Sequence, residues 1–469
     1  MRQKNLFLFI GVIVYKLATE WGYCYILSIN QVTYPLDFNV WKYINGWLWC
    51  LILFFCIRHE KRKASVFMLY LLYVSQIVPI TCVYALANDS AVYYNLTCFA
   101  VLNAELLLGW TDDNVYLRRR RNWSSYMVWG FNIVLLLLLL LIFLKNGQPT
   151  LIALDIYKVY ELRGSGIFKL NKYENYLLSW MTGMIIPFLI AKYMDDRNYI
   201  KAVMLCGIIF ILYLYTGQKT LLFSIPLVIF CSLWMKKKEI RSLYTTFMLC
   251  FALLVILACY SPVAKNIFFE VYHLIGRRVF LLSAVNKFKY YDFFSYNPKM
   301  GMAGIFPRWI LNIPDPYEGE MIGKIISSIY YYQPGSNSNT GFLAEGYMRF
   351  GYIGIFVGMW CFAFILRLMD KMQRRTNLCL TVSAFVYPVL MLTDSHLIDS
   401  FVFGKYMVMV IIMLVFGKAK NDKCSERANK YHYKIRLCKK YYNANLRKYH
   451  WLHDQSDHFT DYQPDIYSR

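Results

Sequence analysis

Long runs of hydrophobic residues alternate with short polar links along most of the chain. Each run approaches the length that an α-helix needs to cross a bilayer, whereas membrane β-barrels are built of short segments of alternating polarity. The pattern therefore predicts an all-α membrane protein and excludes a barrel. About twelve transmembrane helices are predicted, at about 6–28, 41–57, 65–88, 91–110, 123–145, 173–192, 199–216, 220–235, 242–260, 350–369, 377–393 and 400–417.

Two of the predicted spans carry polar or charged side chains. Lys16 and Glu20 lie in the first span, and Asn103 and Glu105 lie in the fourth. Ionised groups in the hydrocarbon region of a bilayer are costly, so these residues weaken the prediction of full spans. A re-entrant or interfacial position is the alternative for both segments.

Composition supports a membrane protein with several spans. Hydrophobic residues make up 58% of the 469, charged residues make up 17%, and the mean hydropathy is +0.36, which is too apolar for a soluble domain. The thirteen cysteines lie mostly in hydrophobic runs without a CxxC motif, which favours small buried residues over disulfides or metal ligands. Arg2 and Lys4 precede the first run without a small-residue cleavage site, so we expect an uncleaved first span.

The basic residues are clustered between the predicted spans. The clusters lie at 58–63, 118–121, 236–241 and 371–375, and again after Gly417. With about twelve spans, every cluster falls on the side of the N-terminus, and the positive-inside rule makes that side cytoplasmic. Both termini are then cytoplasmic. The net charge of +23 reflects this topology rather than nucleic-acid binding.

The prediction divides the chain into four parts. Residues 1–260 hold spans one to nine, 261–349 form a long extracytoplasmic loop, 350–417 hold spans ten to twelve, and 418–469 form a basic cytoplasmic tail. A second, shorter loop at 146–172 also faces outward. The tail lacks an apolar period strong enough for a domain, and contact with anionic membrane lipids is expected for it.

Basic residues near two predicted outer helix ends are candidates for binding a phosphate. Lys219 lies in TGQKT (216–220), a hairpin with almost no loop, where a lysine either extends to the headgroups or contacts a lipid phosphate. Arg277 and Arg278 belong to a mixed apolar and basic stretch (263–281) at roughly helical spacing. This stretch is either a surface-lying helix or a phosphate-binding element. Neighbours on a helix point about 100° apart, so only one of the two arginines need face inward.

His273 lies four residues before Arg277, on the same face of a predicted α-helix. It is either a partnered polar residue or a base.

Aromatic residues are interleaved with charges at 287–309, a stretch that contains Asp292, Lys299 and Arg308. Aromatic rings pack on the CH faces of sugar rings and are also common at membrane interfaces, so both roles are open. Prolines at positions 298, 307, 314 and 316 predict irregular structure, as a substrate-shaping loop requires.

A glycine-rich segment, NTGFLAEGYMRFGYIG, spans residues 339–354. Its glycines allow the chain to turn and then to pack closely as it enters the tenth span. Glu345 and Arg349 are four residues apart, so they share one face of a helix at the outer mouth of the bundle. They form either a simple surface ion pair or a functional acid and base held at a membrane interface.

Three segments resemble the Wzy-type oligosaccharide repeat-unit polymerases of bacterial O-antigen and capsule assembly. Residues 339–354 resemble the pattern N(T)GxLAExYxxFGxxG, and GRRVFLLSAVNKFKYYDFF (276–294) resembles an Arg-led segment followed by aromatics. TGQKT is similar to a T/S-G-x-R-T/G turn, with Lys219 where an arginine is common. A lysine keeps a phosphate contact but lacks the two-pronged grip of arginine. The predicted spans, the cytoplasmic termini and the large external loop also match this family.

The resemblance implies a GT-C-like glycosyltransferase of the bacterial cytoplasmic membrane. Its substrates would be oligosaccharide units linked to undecaprenyl pyrophosphate. The growing chain would move onto a sugar hydroxyl of the next unit, with release of undecaprenyl pyrophosphate and with no metal or other cofactor. A chain-length regulator and a flippase of the same pathway would be its protein partners.

The charges in the predicted outward loops suggest roles in such a reaction. No DxD, HExxH or carboxylate cluster occurs in the sequence of these loops. If pyrophosphate is to leave without a metal, cations of the protein must stabilise its developing charge. The expected catalytic residues are Arg277, Arg278 and Arg349 with Glu345 as the first candidate base, and the expected substrate- and pyrophosphate-binding residues are Lys219, Lys299, Arg308, His273 and Asp292. His273 and Asp292 are the other candidates for the base.

Three other functions stay open. An O-antigen ligase shares the fold and the lipid donor but transfers to lipid A core, and the Glu-bearing LAEGYMRFG (343–351) favours the polymerase. A flippase or another transporter of lipid-linked oligosaccharides would place its charges inside the bundle and keep its loops short. A non-enzymatic subunit of an export complex has no distinguishing mark in the sequence.

Overall fold

The regular structure of the described residues is entirely helical. In the computed structural model these residues are 2–57, 62–110, 123–149, 151–154, 168–237, 239–261, 265–306, 312–398 and 405–416. Their α-helices are α1 (Arg2–Gly22), α2 (Val40–Cys56), α3 (Ala64–Leu72), α4 (Val78–Leu86), α5 (Ala91–Trp110), α6 (Trp123–Asn146), α7 (Lys172–Trp180), α8 (Ile186–Asp195), α9 (Tyr199–Thr216), α10 (Lys219–Lys237), α11 (Ile240–Tyr260), α12 (Lys265–Tyr272), α13 (Leu282–Tyr296), α14 (Ile322–Tyr331), α15 (Phe342–Gln373), α16 (Leu378–Met391) and α17 (Lys405–Phe416). The prediction of an all-α chain is confirmed for these residues.

The apolar helices of the described residues coincide with the predicted spans. Nine helical segments in these ranges are long and apolar enough to cross a membrane, and the doubtful first and fourth predicted spans are among them. Three further apolar helices, α2, α16 and α17, have 10–17 residues each. The chain therefore has the helices of a multi-pass membrane protein, whereas the number of spans and a GT-C-like arrangement stay predictions.

The charged residues of the first predicted span are paired inside the bundle. In α1, Lys16 is fully buried, forms an ion pair with Glu20 and lies 4.1 Å from the ring centre of Trp47. A paired charge inside a bundle costs less than one that faces lipid, so this helix keeps its apolar outer face.

The cysteines of the described residues form no disulfide, but Cys250 is exposed rather than buried.

Four π-helical turns occur in the described residues, at Tyr23–Leu27, Tyr73–Ile77, Met181–Ile185 and His273–Leu281. In a π turn each N–H bonds to the carbonyl five residues back, so the helix is locally wider, and such turns are frequent at functional sites. The fourth turn has nine residues and joins α12 to α13 without a break. The prediction of a helix is confirmed for the described part of this stretch, but the helix is of the π type from His273 to Leu281, so its side chains are distributed over a wider circle.

The predicted outward loop folds largely into helices that pack into the bundle. Tyr272 and Phe280 are buried, and both rings contact Phe251 of α11. Gly22 of α1 approaches so closely that a Cβ there would lie 2.3 Å from the hydroxyl oxygen of Tyr272. From Tyr272 to Phe280 this stretch therefore packs against the bundle, whereas Ile267 and Val271 of α12 are exposed.

α15 bends near its first third. Phe350 and Gly351 have non-helical backbone angles, and Gly351 has φ +62° and ψ −144°. An L-residue with a side chain rarely adopts these angles, so glycine is required here. The bend separates a short helix that begins at Phe342 from the long apolar helix that follows, close to the boundary predicted at residue 350.

Candidate functional site

The glycine-rich segment 339–354 holds the link between α16 and α17 in place. Oε2 of the fully buried Glu345 accepts hydrogen bonds from the backbone N–H groups of Leu397, at 2.5 Å, and Ile398, at 3.0 Å. A Cβ on Gly341 would lie 2.3 Å from the carbonyl oxygen of Thr393, so only glycine allows this approach. The first turn of α15 thus fixes the position of residues 392–398, which we call the 392–398 link.

Glu345 and Arg349 form the predicted ion pair, but inside the protein rather than on its surface. Arg349 Nε lies 3.4 Å from Glu345 Oε1, and both side chains are buried. Arg349 also donates from Nη1 to the carbonyl oxygens of Gly301, at 2.8 Å, and Ala303, at 2.9 Å. Removing one partner of such a buried pair would leave the other as an uncompensated buried charge, so a single substitution at either residue should be strongly destabilising. These contacts favour a positioning role for both residues.

A second network connects α13 to the 392–398 link. Ser283 Oγ donates to the carbonyl oxygen of Thr393 at 2.7 Å. The buried Lys287 donates from Nζ to Ser283 Oγ at 2.6 Å, to the Ser283 carbonyl at 3.0 Å and to the Thr393 carbonyl at 3.3 Å. Asn286 donates to the carbonyl oxygen of Asn339 at 2.7 Å. One face of α13 therefore holds both the 392–398 link and the start of the glycine-rich segment.

This network brings together two groups with shifted pKa values. Burial lowers the pKa of Lys287 to about 7, although the negative charge of Asp394 opposes the shift. Burial raises the pKa of Asp394, against the effects of Lys287, a hydrogen bond from Ser283 and the positive charge of Arg278. Each group thus lies in surroundings that disfavour its charged form.

Four buried polar atoms on Arg277 and on residues linked to it in space or in sequence have no hydrogen-bond partner among the described residues. They are Arg277 Nε, His273 Nε2, Tyr272 Oη and Tyr34 Oη. Tyr34 lies in the link between α1 and α2, where burial raises its pKa and the nearby charge of Arg277 opposes that effect. Burial and the charge of Arg277 lower the pKa of His273. Buried polar atoms are normally satisfied, so this cluster, which we call the Arg277 cluster, is suited to a polar ligand.

The two arginines have different surroundings, as the sequence analysis allowed. Arg277 has a buried Nε, whereas the side chain of Arg278 is exposed and its charge acts on Asp394. Lys219 begins α10, directly after Gly217 closes the hairpin with φ +62°. Thr220 hydrogen bonds to Tyr387, one turn before the end of α16. The hairpin therefore lies beside the helix that leads into the 392–398 link.

The remaining candidates lie around the C-terminal end of α13. Lys299 donates from Nζ to the carbonyl oxygen of Phe294 and lies 4.1 Å from the ring centre of Tyr347. Asp292 accepts a hydrogen bond from the hydroxyl of Tyr330 at 2.6 Å. Both side chains are thus already engaged. Arg308 lies outside the described residues.

Sequence reasoning missed several residues of the site. Lys287 lies at the start of the aromatic and charged stretch 287–309 without a mark of its own, and the sequence does not single out Tyr34, Tyr272 or Asp394. The i, i+4 spacing of Ser283 and Lys287 was the one available signal. Asp394 becomes a candidate only through the contacts of α13 with the 392–398 link, which connect residues 106–110 positions apart.

Comparisons with protein-family models, with curated proteins and with solved structures find no match to this chain. Among the described residues, no three His, Cys, Asp or Glu side chains gather as a metal site would require. A metal-independent reaction stays a prediction.

Proposed function

We propose that the protein is a membrane glycosyltransferase that joins oligosaccharide units linked to undecaprenyl pyrophosphate. In this proposal it acts at the outer face of the bacterial cytoplasmic membrane and makes O-antigen or capsular polysaccharide. Both termini are cytoplasmic, and the Arg277 cluster faces the substrate side. The segments that resemble Wzy-type polymerases are the starting point of this proposal.

The observation that carries the proposal is the Arg277 cluster. A guanidinium group and two tyrosine hydroxyls at a helix widened by a π turn can together donate to the oxygens of a phosphate. Arginine stays charged and grips phosphate with two donors, and Arg278 adds a second charge next to it. Such cations would stabilise the charge that develops on the departing pyrophosphate.

The experiment that tests the proposal uses purified protein and lipid-linked oligosaccharides extracted from the membranes of the source cells. A ladder of longer glycans means polymerase. Transfer to lipid A core alone means ligase, and an unchanged glycan length means a transporter or a scaffold. Either of the last two outcomes overturns the proposal.

Variants of the two arginines sharpen the test. Arg277→Ala and Arg278→Ala should each reduce ladder formation by 100-fold or more, on the order of the loss of one donor to a developing oxyanion. The matched control is Lys169→Ala, because Lys169 is an exposed cation in the other predicted outward loop. Full-length polymer from both arginine variants would mean that these cations do not serve the reaction.

A further inference from the structure

We propose that Asp394 is the general base of this site and takes the proton from the acceptor hydroxyl. The inference rests on the proposed glycosyl transfer and assigns to it a residue in the 392–398 link, outside the three segments that carry the family resemblance.

The reaction step balances as follows. The oxygen of the acceptor hydroxyl attacks the anomeric carbon of the donor sugar, and a new C–O glycosidic bond forms. The bond between that carbon and the pyrophosphate oxygen breaks, and the electron pair leaves with undecaprenyl pyrophosphate. The hydroxyl proton passes to the Asp394 carboxylate, while Arg277 and Arg278 stabilise the new charge on the leaving group.

The position of Asp394 favours this role. Asp394 is a partly exposed residue, whereas Ser283 and Lys287 of the same network are buried. The exposed Arg278 is close enough for its charge to act on Asp394. A displacement at the anomeric carbon needs a base near the acceptor hydroxyl and a cation near the leaving group. Asp394 and Arg278 are neighbours and can supply these two groups.

The surroundings of Asp394 also suit proton transfer. Burial raises the pKa of the carboxyl group, while Ser283, Lys287 and Arg278 keep the carboxylate form accessible. A base is most effective when its pKa lies near the working pH. Three acceptors hold Lys287 Nζ in place, so Lys287 acts on the pKa of Asp394 from a fixed position.

The other carboxylates near the site are less suited to the task. Glu345 is fully buried and accepts from two backbone N–H groups, so it holds the chain that carries Asp394. Asp292 is engaged by the hydroxyl of Tyr330. Glu345 is thus a positioning residue, and Asp394 is the group that meets the acceptor.

The test compares Asp394→Asn with the wild-type protein, both purified in detergent. Asn keeps the shape of the side chain but takes no proton, so we expect kcat for ladder formation to fall about 100- to 10,000-fold. Binding of undecaprenyl pyrophosphate, used as the probe, should keep its Kd within threefold. Asp394→Glu, which restores a carboxylate, should recover part of the lost kcat.

The control is Asp37→Asn, because Asp37 is an exposed carboxylate of the link between α1 and α2 whose described partner is Asn88. It should leave kcat unchanged. A kcat for Asp394→Asn within tenfold of wild type overturns the inference, and so does a parallel loss of undecaprenyl pyrophosphate binding, which would mean a binding role. If the wild-type protein and the Asp394→Asn variant both form ladders at similar rates, only this inference is refuted. If the wild-type protein makes no ladder, the proposed function is refuted.

Discussion

Glu345 is a buried carboxylate whose two oxygens are both engaged by other groups of the protein. Two backbone N–H groups of the 392–398 link donate to one of its oxygens, and Arg349 faces the other. Charged hydrogen bonds of this kind contribute about 1.5–3 kcal/mol each. The sequence analysis proposed Glu345 as a base because an acid near a membrane interface often marks function. The contacts give a structural reason for an acid at this position.

Substitution of Glu345 separates the two roles. Glu345→Gln keeps an oxygen that accepts from Leu397 and Ile398, so we expect polymer formation within about tenfold of wild type. Glu345→Ala removes that acceptor and should reduce polymer formation by 100-fold or more, together with a lower Tm, because two buried N–H groups lose their partner. The measurements are ladder assays and thermal unfolding in detergent. A Gln variant as inactive as the Ala variant would instead identify Glu345 as the base.

Lys287 predicts a pH dependence of stability. Its pKa is about 7 in the folded protein and about 10.4 in an unfolded chain. Between these values the unfolded chain binds the proton that the folded protein does not, so stability rises with pH in this window. The difference in Tm between wild type and Lys287→Met should therefore shift in favour of wild type from pH 7 to pH 9.5. A difference that stays constant with pH would mean that Lys287 keeps its ordinary pKa.

Sequence reasoning reached the residue scale only in part. It selected Arg277, Arg278, Glu345 and Arg349 as candidates, because a charged residue within an apolar or glycine-rich segment stands out in the sequence alone. It missed Asp394, because nothing adjacent in sequence marks it. The hydrogen bonds from Ser283 and Lys287 to Thr393, and from Leu397 and Ile398 to Glu345, join positions at least 52 apart, and such contacts leave no local pattern.

At the scale of elements, α15 depends on close backbone packing across its bend. A Cβ on Gly354 would lie 1.9 Å from the carbonyl oxygen of Gly346, and a Cβ on Gly346 would lie 2.3 Å from that of Gly354. Backbone atoms cannot move aside as a flexible side chain does. The two glycines therefore allow the outer turn of α15 to fold back on the long helix and to present Glu345 and Arg349.

Gly354→Ala should accordingly destabilise the protein by at least about 2 kcal/mol, the cost of forcing an added methyl group into a packed core. The control is Gly207→Ala in α9, because a Cβ there meets nothing within 4 Å. That variant should gain about 0.5–1 kcal/mol through helix propensity. Thermal unfolding of the two variants side by side measures the contrast, and equal Tm values would contradict the close packing described for α15.

Helix positions were predictable from hydrophobic runs, whereas the π turns were not. A run of apolar residues long enough to cross a bilayer specifies a helix almost by itself. The π turn at His273–Leu281 lies instead where the chain packs against distant elements, as Tyr272 does against Gly22 of α1. Periodicity in one sequence does not contain those neighbours.

At the scale of the whole molecule, the proposed function requires the site to lie on the extracytoplasmic side of the membrane. The positive-inside pattern puts Lys324 on the outer side and Asp196 on the inner side of the membrane. Both residues are exposed. Introduced cysteines at these positions therefore report the topology directly.

In intact cells, Lys324→Cys should react with a membrane-impermeant maleimide, and Asp196→Cys should react only after permeabilisation. The parent protein corrects for its native cysteines, since Cys250 is also exposed. The measurement is the labelled fraction of the purified protein before and after permeabilisation. Labelling of Asp196→Cys from outside would reverse the topology and place the Arg277 cluster on the wrong side for an extracytoplasmic substrate.

The length of the π turn at His273–Leu281 has a consequence of its own. Each residue of an ordinary α-helix advances the angle around its axis by about 100°. Deleting one residue between His273 and Arg277 would rotate α12 by roughly that angle relative to α13, and Tyr272 would leave its place beside Gly22. The number of residues in the turn therefore sets the angular phase between the helix packed on α1 and the helix that carries Lys287. The length of the turn is therefore a structural requirement in its own right.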